Sequence, residues 1–316
     1  MTTANRFRTR FLGSTVLMGA ATALVLSGCS GGGSDSATST GASSSTSTSV
    51  QVDAAAAALL PAKYKESGIN VAADMPNPPM EMLDENQNPT GFDYDLAQAL
   101  GAKLGVKFTF VQQTFDTAVP SLQAGKHDII MAGMNDTVER QKVLDFVDYF
   151  HAGFVIVVQK GNPENITRIL DLCGKNVAVQ KSTVQGELLE GYADKCKAAG
   201  SGPINLVQLP TELDAQTAVR SNKAVADVVD ASVGTYAAET AGDGQIFELV
   251  KDVEHPGGYN PVYTGIGLLK GNDDLAKALN MALQSVMDDG TYAKLLDKYK
   301  LSDFAIDKAG INRASE

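Results

Sequence analysis

Polar and charged side chains follow four short apolar segments that predict β-strands, and Arg140 comes about one helical turn after Asn135, the first such side chain at its segment. These side chains are Asp74, Asn135, Arg140, Ser182, Thr183 and Asp230. The set contains one cation, two anions and a Ser-Thr pair at a predicted helix start, where free N–H groups favour an anion. The Arg140 guanidinium can hold a carboxylate through two parallel hydrogen bonds, and Asp230 can hold an ammonium group. The residue types therefore predict a site for a zwitterion.

Alternating strand and helix patterns would bring these side chains to one edge of a sheet. Continuous apolar runs at residues 128–134 and 226–229 are typical of strands buried on both faces of a parallel sheet, and residues 69–73 and 176–180 predict two more. Apolar residues spaced four apart predict an amphipathic helix over residues 91–104. The alternation predicts an α/β fold with mostly parallel sheets, in which ligands bind outside the carboxyl ends of the strands.

Two capping boxes are predicted beside the candidate site. Asp136 is followed by Glu139, and Ser182 is followed by Gln185, each three residues later. At this spacing a cap side chain and the third helical side chain satisfy each other's backbone N–H groups. We therefore predict helices that open at Asp136 and at Ser182.

The N-terminal residues predict export and a lipid anchor. Three arginines precede an apolar run over residues 11–26, which is too short for a membrane span and is typical of a signal peptide, residues 1–28. The run ends in Leu26-Ser27-Gly28-Cys29, which resembles the lipobox of bacterial lipoproteins. The resemblance implies acylation of Cys29 by fatty acids such as palmitate, which would anchor the chain to the outer face of the cell membrane. An ordinary secretion signal with an incidental cysteine is the alternative.

A Ser/Thr/Gly-rich segment follows, and residues 29–51 are predicted to be the lipidated cysteine and a flexible linker. A flexible chain of this length spans on the order of 25 Å root-mean-square. The segment is therefore predicted to lift the folded part, from residue 52 on, away from the membrane.

The charge balance excludes some partners. The net charge is −11 and becomes −14 once residues 1–28, with three arginines and no acid, are removed. Such an acidic surface argues against nucleic acid and anionic lipid headgroups as partners. The remaining length fits two domains or one large one.

Cys173 and Cys196 remain once Cys29 is assigned to the anchor. An even pair in an exported protein predicts a disulfide; two buried thiols or a metal site are the alternatives. A metal site needs more ligands than two cysteines, and the three histidines are widely scattered. We therefore predict a disulfide, no metal and no cofactor.

Several motifs together resemble a known family. They are Gly91-Phe92-Asp93-Tyr94-Asp95-Leu96, Ala132-Gly133-Met134, Glu139-Arg140, Asp145-Phe146-Val147-Asp148-Tyr149, Val179-Gln180, Thr183, Gln185, Val229-Asp230, Gly265-Ile266-Gly267-Leu268 and Asp289-Gly290-Thr291-Tyr292. Their order and spacing, from about residue 68 to 299, resemble the polar amino-acid solute-binding proteins of ABC importers (family 3), and most of all actinobacterial lipoprotein members.

The resemblance implies a monomeric two-lobed periplasmic-binding-protein fold of type II, with a ligand cleft between lobes that close like a hinged clamp. Each lobe would be a mostly parallel sheet flanked by helices. Lobe 1 would be residues 52–152 plus 263–316, and lobe 2 residues 153–262. An ABC permease and its ATPase would be the partners that receive the ligand.

The resemblance also assigns roles to individual residues. Arg140 would grip the α-carboxylate, Ser182 and Thr183 would add contacts from a helix end, and Asp230 would bind the ammonium group. Asp74 would touch the ligand side chain. Two further positions match, with Phe115 as an apolar wall and Gly133 as a backbone that faces the ligand.

The chain departs from the family pattern around the ligand side chain. Asn77 stands where many members have a stacking aromatic residue, and Asn135 where Ser or Thr is usual. Ser182-Thr183-Val184 replaces the usual Gly-Thr-Thr. Glutamine or a basic amino acid is the favoured ligand, while Lys181 would favour an acidic one.

Two other functions use the same fold. An enzyme of the cyclohexadienyl dehydratase type would need a general acid beside the ligand, for which Asp74, Glu81 and His151 are available. A ligand-sensing partner of a membrane receptor is the other alternative. Asp227 points away from Asp230's face of the strand and is predicted to be structural.

Overall fold

Strands and helices alternate along the chain in a computed structural model that describes residues 51–315. The predicted signal peptide, Cys29 and nearly all of the linker lie outside the described residues. The strands are β1 (Ile69–Ala73), β2 (Met82–Leu83), β3 (Pro89–Thr90), β4 (Phe108–Gln112), β5 (Ile129–Ile130), β6 (Leu144–Gln159), β7 (Asn176–Gln180), β8 (Asn205–Leu209), β9 (Ala226–Asp230), β10 (Phe247–Leu249), β11 (Tyr259–Leu269) and β12 (Gly310–Ile311).

Helices lie before β1 and in many of the intervals between the strands. The α-helices are α1 (Ala54–Leu59), α2 (Ala62–Ser67), α3 (Phe92–Leu104), α4 (Phe115–Gln123), α5 (Val184–Glu190), α6 (Ala193–Ala198), α7 (Glu212–Arg220), α8 (Ala231–Thr240), α9 (Asp273–Asp288) and α10 (Thr291–Tyr299). Within the described range, no helix is both long and apolar enough to cross a membrane. The predicted helix over residues 91–104 is confirmed as α3, whose Phe92, Leu96, Leu100 and Leu104 are all buried.

The sheet order explains the two-lobed architecture. Along the sheet the strands run β4-β1-β5-β11-β6-β9-β7-β8. One end is a parallel trio of β4, β1 and β5, and the other end is a parallel trio of β9, β7 and β8. Between them, the long strands β6 and β11 pair antiparallel with each other and reach both trios. Each lobe is thus a parallel sheet, and the two long strands connect them.

Strand β6 is much longer than the sequence predicts. The apolar pattern indicates a strand at residues 154–158, whereas β6 begins at Leu144. Asp145 and Asp148 interrupt the apolar run, so the sequence pattern does not predict a strand there. Both acids contact the C-terminal segment: Asp145 accepts a hydrogen bond from the Asn312 amide at 2.8 Å, and Asp148 accepts one from the Arg313 backbone at 3.1 Å.

Both predicted capping boxes are wrong. No α-helix opens at Asp136, and the first helical residues are a 3₁₀ turn, Arg140–Lys142. The Asp136 carboxylate instead accepts hydrogen bonds from the Gln141 side chain at 2.8 Å and from the Ala314 backbone at 3.0 Å. At the second site the helix begins after Thr183, and Ser182 has a left-handed φ of 63°. Partners distant in sequence displace the local caps.

The predicted disulfide is confirmed, with Cys173 and Cys196 bonded at an S–S distance of 1.99 Å and a Cα–Cα distance of 5.4 Å. The bond ties the segment just before β7 to α6. Cys196 is fully buried in the apolar core beside the strand trio of β9, β7 and β8.

Candidate functional site

A small cavity of about 30 Å³ lies where the carboxyl ends of the two strand trios face each other. Six of the nine predicted ligand-binding residues line it, and they are Asn77, Phe115, Gly133, Asn135, Thr183 and Asp230. A cavity of this volume holds one or two water molecules, not an amino acid. An amino acid therefore enters this site only when the walls move apart.

Arg140 is held at the cavity rim by two backbone carbonyls. Its Nη1 donates to the Asn135 carbonyl at 2.8 Å and its Nη2 to the Ser182 carbonyl at 3.0 Å. The guanidinium carbon lies 5.5 Å from the centre of the Phe115 ring, within the range of a cation–π contact. These contacts use two of the five guanidinium N–H groups and fix the orientation of the fork.

Asp230 ends β9 and faces the same cavity. Its Oδ1 accepts from the Asn135 amide at 3.0 Å, and its Oδ2 accepts from the Gln185 amide at 2.7 Å. Burial raises the pKa of Asp230 to about 6, against the opposing effect of these two hydrogen bonds. A half-buried carboxylate whose hydrogen-bond donors are neutral is stabilised by a cation, so the position suits an ammonium group.

Asp74 follows β1 and is 4% exposed. Its Oδ2 accepts from the Gln180 amide at 2.6 Å, so the end of β1 is tied to the end of β7. Burial raises the pKa of the Asp74 carboxyl. Gln180 lines the cavity and was not predicted as a site residue.

The two hydroxyl residues before α5 contribute differently. Thr183 lines the cavity, and its hydroxyl donates to the Gln180 carbonyl at 2.7 Å. The Ser182 side chain is exposed, and the contact that Ser182 makes with the site is its carbonyl on Arg140. The structure therefore brings the Thr183 side chain to the cavity but not that of Ser182.

Gly133 occupies a position whose backbone was expected to face the ligand. It lines the cavity and has a left-handed φ of 56°, which favours glycine. Its N–H, however, donates to the Asp93 carboxylate at 3.2 Å. Asp93 also accepts from the Tyr149 hydroxyl at 2.9 Å, so the Gly133 amide belongs to a buried network behind the cavity.

Two pairs of buried carboxyl groups flank the cavity. Glu81 lies beside Asp93 on one side, and Glu212 lies beside Asp227 on the other. Burial raises the pKa of all four groups, and the neighbouring carboxylate raises those of Glu81 and Glu212 further. The raised pKa values favour the neutral form of these groups. Asp227, for which a structural role is predicted, is fully buried.

Glu212 and Gln185 also line the cavity, although sequence reasoning did not include them among the site residues. Both are nearly fully buried, at 4% and 3% exposed. A signal for Gln185 is present in the sequence, because it is a polar residue in the first turn of a helix beside the site and belongs to the family motif. Glu212 is the first residue of α7, and no motif in the neighbouring sequence indicates that it belongs to the site.

Two parallel trios joined by two long antiparallel strands, with a polar cavity between the strand ends, define a type II periplasmic binding protein. The chain belongs to family 3 of the bacterial extracellular solute-binding proteins, whose family model matches residues 69–302.

Relatives support the same assignment. The arginine-binding protein ArgT of Corynebacterium glutamicum is 31% identical over 257 residues, covering 81% of this chain and 82% of that protein. An ancestral arginine-binding protein bound to arginine is 32% identical with a TM-score of 0.63, covering 73% of this chain and 97% of its own. An ancestral arginine-binding protein bound to glutamine is 34% identical with a TM-score of 0.63, covering 74% and 97%. The relatives are named as binding proteins, and this chain is a binding protein rather than an enzyme.

Proposed function

We propose that this protein is a lipid-anchored, extracytoplasmic binding protein that captures a polar amino acid by clamp closure and delivers it to an ABC importer. One observation carries the proposal. The half-buried Asp230 carboxylate lines the cavity from the second strand trio, and the Arg140 guanidinium, which follows the first trio, lies beside the cavity and donates to the Asn135 and Ser182 carbonyls. This charge arrangement matches the carboxylate and ammonium groups that every α-amino acid carries.

The charges around the cavity favour a basic side chain. Asp74, Asp230 and the two carboxyl pairs outnumber the single guanidinium of Arg140. Among the described residues that line the cavity, none is Lys, Arg or His. Lys181, which could have favoured an acidic ligand, is not among them. An acidic side chain would add a negative charge beside buried carboxyl groups, so a basic amino acid is favoured, with glutamine as the neutral alternative.

The lobe boundaries of the proposal are residues 52–152 plus 263–316 for lobe 1 and residues 153–262 for lobe 2. The crossings fall within β6 and β11. Register shifts lie in β11 between Tyr259 and Val262 and between Thr264 and Gly265, close to the second crossing. Such irregular positions near element crossings are suited to absorb a hinge rotation.

Anchoring and delivery complete the proposal. Lipidation at Cys29 and the linker would hold the domain near a membrane permease, and the protein would act as a monomer. The choice of an amino acid as the ligand is supported by the relatives: ArgT is named for arginine binding, and the ancestral proteins were seen with arginine or glutamine.

Isothermal titration of the full chain with each of the common amino acids tests the proposal. We expect the protein to bind one or a few polar amino acids, and a basic amino acid to have the highest affinity. We expect no binding of aspartate or glutamate. Binding of none of them would refute the amino-acid function. Incorporation of radiolabelled palmitate, and its loss in Cys29→Ser, tests the anchor separately.

A further inference from the structure

A second pocket lies between helix α8 and the end of helix α10, and it shares no lining residue with the cavity at the strand ends. Its volume is about 250 Å³. A cavity of about 150 Å³ is enough to hold a benzene ring, so this pocket has room for a small ring compound. Its lining includes Met82, Ser232, Thr235, Tyr236, Tyr299 and Leu301.

The two walls of this pocket belong to different halves of the molecule. Helix α8 directly follows β9 of the second strand trio. Helix α10 is tied to α3, which precedes β4 of the first trio, because the Tyr299 hydroxyl donates to the Asp95 carboxylate at 2.7 Å. A molecule in the pocket would therefore contact both halves at once.

Helix α8 presents two hydroxyl groups to the pocket. Ser232 and Thr235 lie three residues apart, so they share one face of the helix, and both line the pocket. Ser232 is 5% exposed, and within the described part of the chain neither hydroxyl bonds to another residue. Buried polar groups are normally paired, and a hydroxyl both donates and accepts. This wall therefore suits a ligand that carries a hydroxyl of its own.

The opposite wall suits an aromatic ring. Met82, Tyr299 and the buried Leu301 supply its apolar surface. The Tyr299 ring is fixed in place, because its hydroxyl also accepts from the Gly91 backbone at 3.2 Å. Aromatic rings gain from offset or edge-to-face contact with one another, so a flat ring fits beside Tyr299.

The charges at the pocket favour an uncharged ligand. The two cations that line it are Lys298 and Lys300. Lys298 pairs with Asp95, and Lys300 pairs with Glu239 of α8 at 3.1 Å. Because each ammonium group already has a carboxylate partner, a charged ligand would have to displace one of these partners.

We propose that this pocket binds a small uncharged aromatic alcohol, of which phenol is the simplest, and that its occupant favours closure of the two halves. The ring would pack on Met82, Tyr299 and Leu301, while the hydroxyl donates to one of the two α8 hydroxyls and accepts from the other. Its contacts with both halves exist together only in the closed arrangement, and such differential contacts favour that state.

An amino acid in the cavity at the strand ends would favour the same closed state. By linkage, phenol and the amino acid should each raise the affinity of the other by the same factor, and we expect at least about fivefold. This coupling rests on the proposed function, whereas the binding of phenol does not.

Titration of the full chain with phenol, without any amino acid, tests the pocket through amide chemical shifts. We expect saturable binding with a dissociation constant on the order of 1 mM, as is usual for a ligand of this size. The shifts should be largest in α8 and at residues 298–301. Benzene has the same ring without the hydroxyl, and it should bind about fivefold more weakly or less tightly still.

Ser232→Ala and Thr235→Val each remove one hydroxyl from the pocket. Each variant should weaken phenol binding by about threefold to tenfold, the effect of one hydrogen bond, and leave benzene binding unchanged. Thr217→Val is the matched control, because Thr217 is an exposed threonine in α7 that does not line the pocket. Its phenol affinity should equal that of the wild type.

The outcomes separate the pocket from the proposed function. The absence of saturable phenol binding, or phenol binding that is unchanged in both variants, would overturn the pocket while amino-acid binding stands. An amino-acid affinity that saturating phenol leaves unchanged would overturn the coupling. If no amino acid binds at all, the proposed function fails, and the phenol titration still decides the pocket. The two variants are independent, so one that does not fold leaves the other to decide.

Discussion

Arg140 is the residue on which the proposed ligand pose depends most. Removing the guanidinium would leave a ligand carboxylate buried without its charge-assisted partner, which typically costs about 2–5 kcal/mol of binding free energy. We expect Arg140→Ala to weaken binding by roughly 30-fold or more, and Arg140→Lys to be poor as well, because an ammonium cannot bond two carbonyls and a carboxylate in one plane.

Calorimetry with the amino acid found by the titration screen measures this effect. Arg220→Ala is the control, since Arg220 is an exposed arginine at the end of α7. Unchanged affinity in Arg140→Ala, with the melting temperature retained, would remove Arg140 from the ligand site.

The raised pKa of the Asp230 carboxyl predicts how ligand affinity depends on pH. Burial raises the pKa of its carboxyl to about 6 in the ligand-free site, and a ligand ammonium group would lower it again by favouring the charged form. The complex then binds fewer protons than the free protein, so affinity rises with pH up to about 6 and levels off above it. Below that value we expect a loss of about tenfold per pH unit.

Titrations between pH 4.5 and 7.5 check this dependence. Asp74, whose pKa is also raised by burial, would act in the same direction, so Asp230→Asn is the informative variant. It should bind weakly and lose most of the dependence near pH 6. An affinity that is flat across this range in the wild-type protein would contradict the assignment of the ammonium group to Asp230.

At the scale of elements, a carboxyl pair joins α7 to β9. Glu212 opens the helix, Asp227 lies in the strand, and burial raises the pKa of both. Because the folded pKa values lie above the unfolded ones, the native state holds a proton that the unfolded chain has released near neutral pH. The free energy of unfolding should therefore fall as pH rises through this window, by at most about 1.4 kcal/mol per pH unit for one proton.

Asp227→Asn tests the pair. An asparagine amide can donate to an ionised Glu212 and replace the proton that the pair holds, so we expect urea unfolding of this variant to show a smaller loss of stability between pH 5 and 8. Asp194→Asn changes an exposed acid in α6 and should keep the wild-type slope. Parallel pH dependence in all three proteins would mean that the pair holds no extra proton.

At the scale of the whole molecule, hydrogen bonds at the cavity join the two sides of the cleft, and Lys300 donates to Glu239 at 3.1 Å as a further contact between the sides. Asn135 donates to Asp230, Gln180 donates to Asp74, and Arg140 donates to the Ser182 carbonyl. A ligand that touches both sides favours the closed state, since only differential contacts shift such an equilibrium. We expect saturating ligand to reduce the radius of gyration, and Asp230→Ala to weaken binding chiefly through loss of closure and faster release.

Small-angle scattering with and without ligand, together with spin-label distances across the cleft, measures the motion. Closure should appear as a shorter cross-cleft distance in the wild-type protein and a smaller change in Asp230→Ala. An unchanged radius of gyration and an unchanged distance at saturation would mean that the clamp mechanism does not operate here.

Some features followed from the sequence because they depend on residues close together in the chain. The run at residues 176–180 has the same bounds as β7, since apolar β-branched residues decide a buried strand locally. Cys173 and Cys196 could be paired because they are the two cysteines that remain in a chain predicted to be exported once Cys29 is assigned to the anchor. Asn135, Thr183 and Asp230 could be placed at the cavity because they lie within a few residues of a strand end, where an α/β sheet binds its ligands.

Tertiary structure decided the features whose partners lie far away in sequence. Asp136 and Gln185 match capping boxes, yet the Asp136 carboxylate accepts from the Ala314 backbone and the Gln185 amide donates to Asp230, and both partners lie far away in the sequence. The start of β6 at Leu144 depends in the same way on the C-terminal segment, which contacts Asp145 and Asp148. The sequence by itself determined which local segments form strands and which chemical groups end them. Only the fold decided which of those groups meet, because burial and hydrogen bonding between distant segments depend on the whole chain.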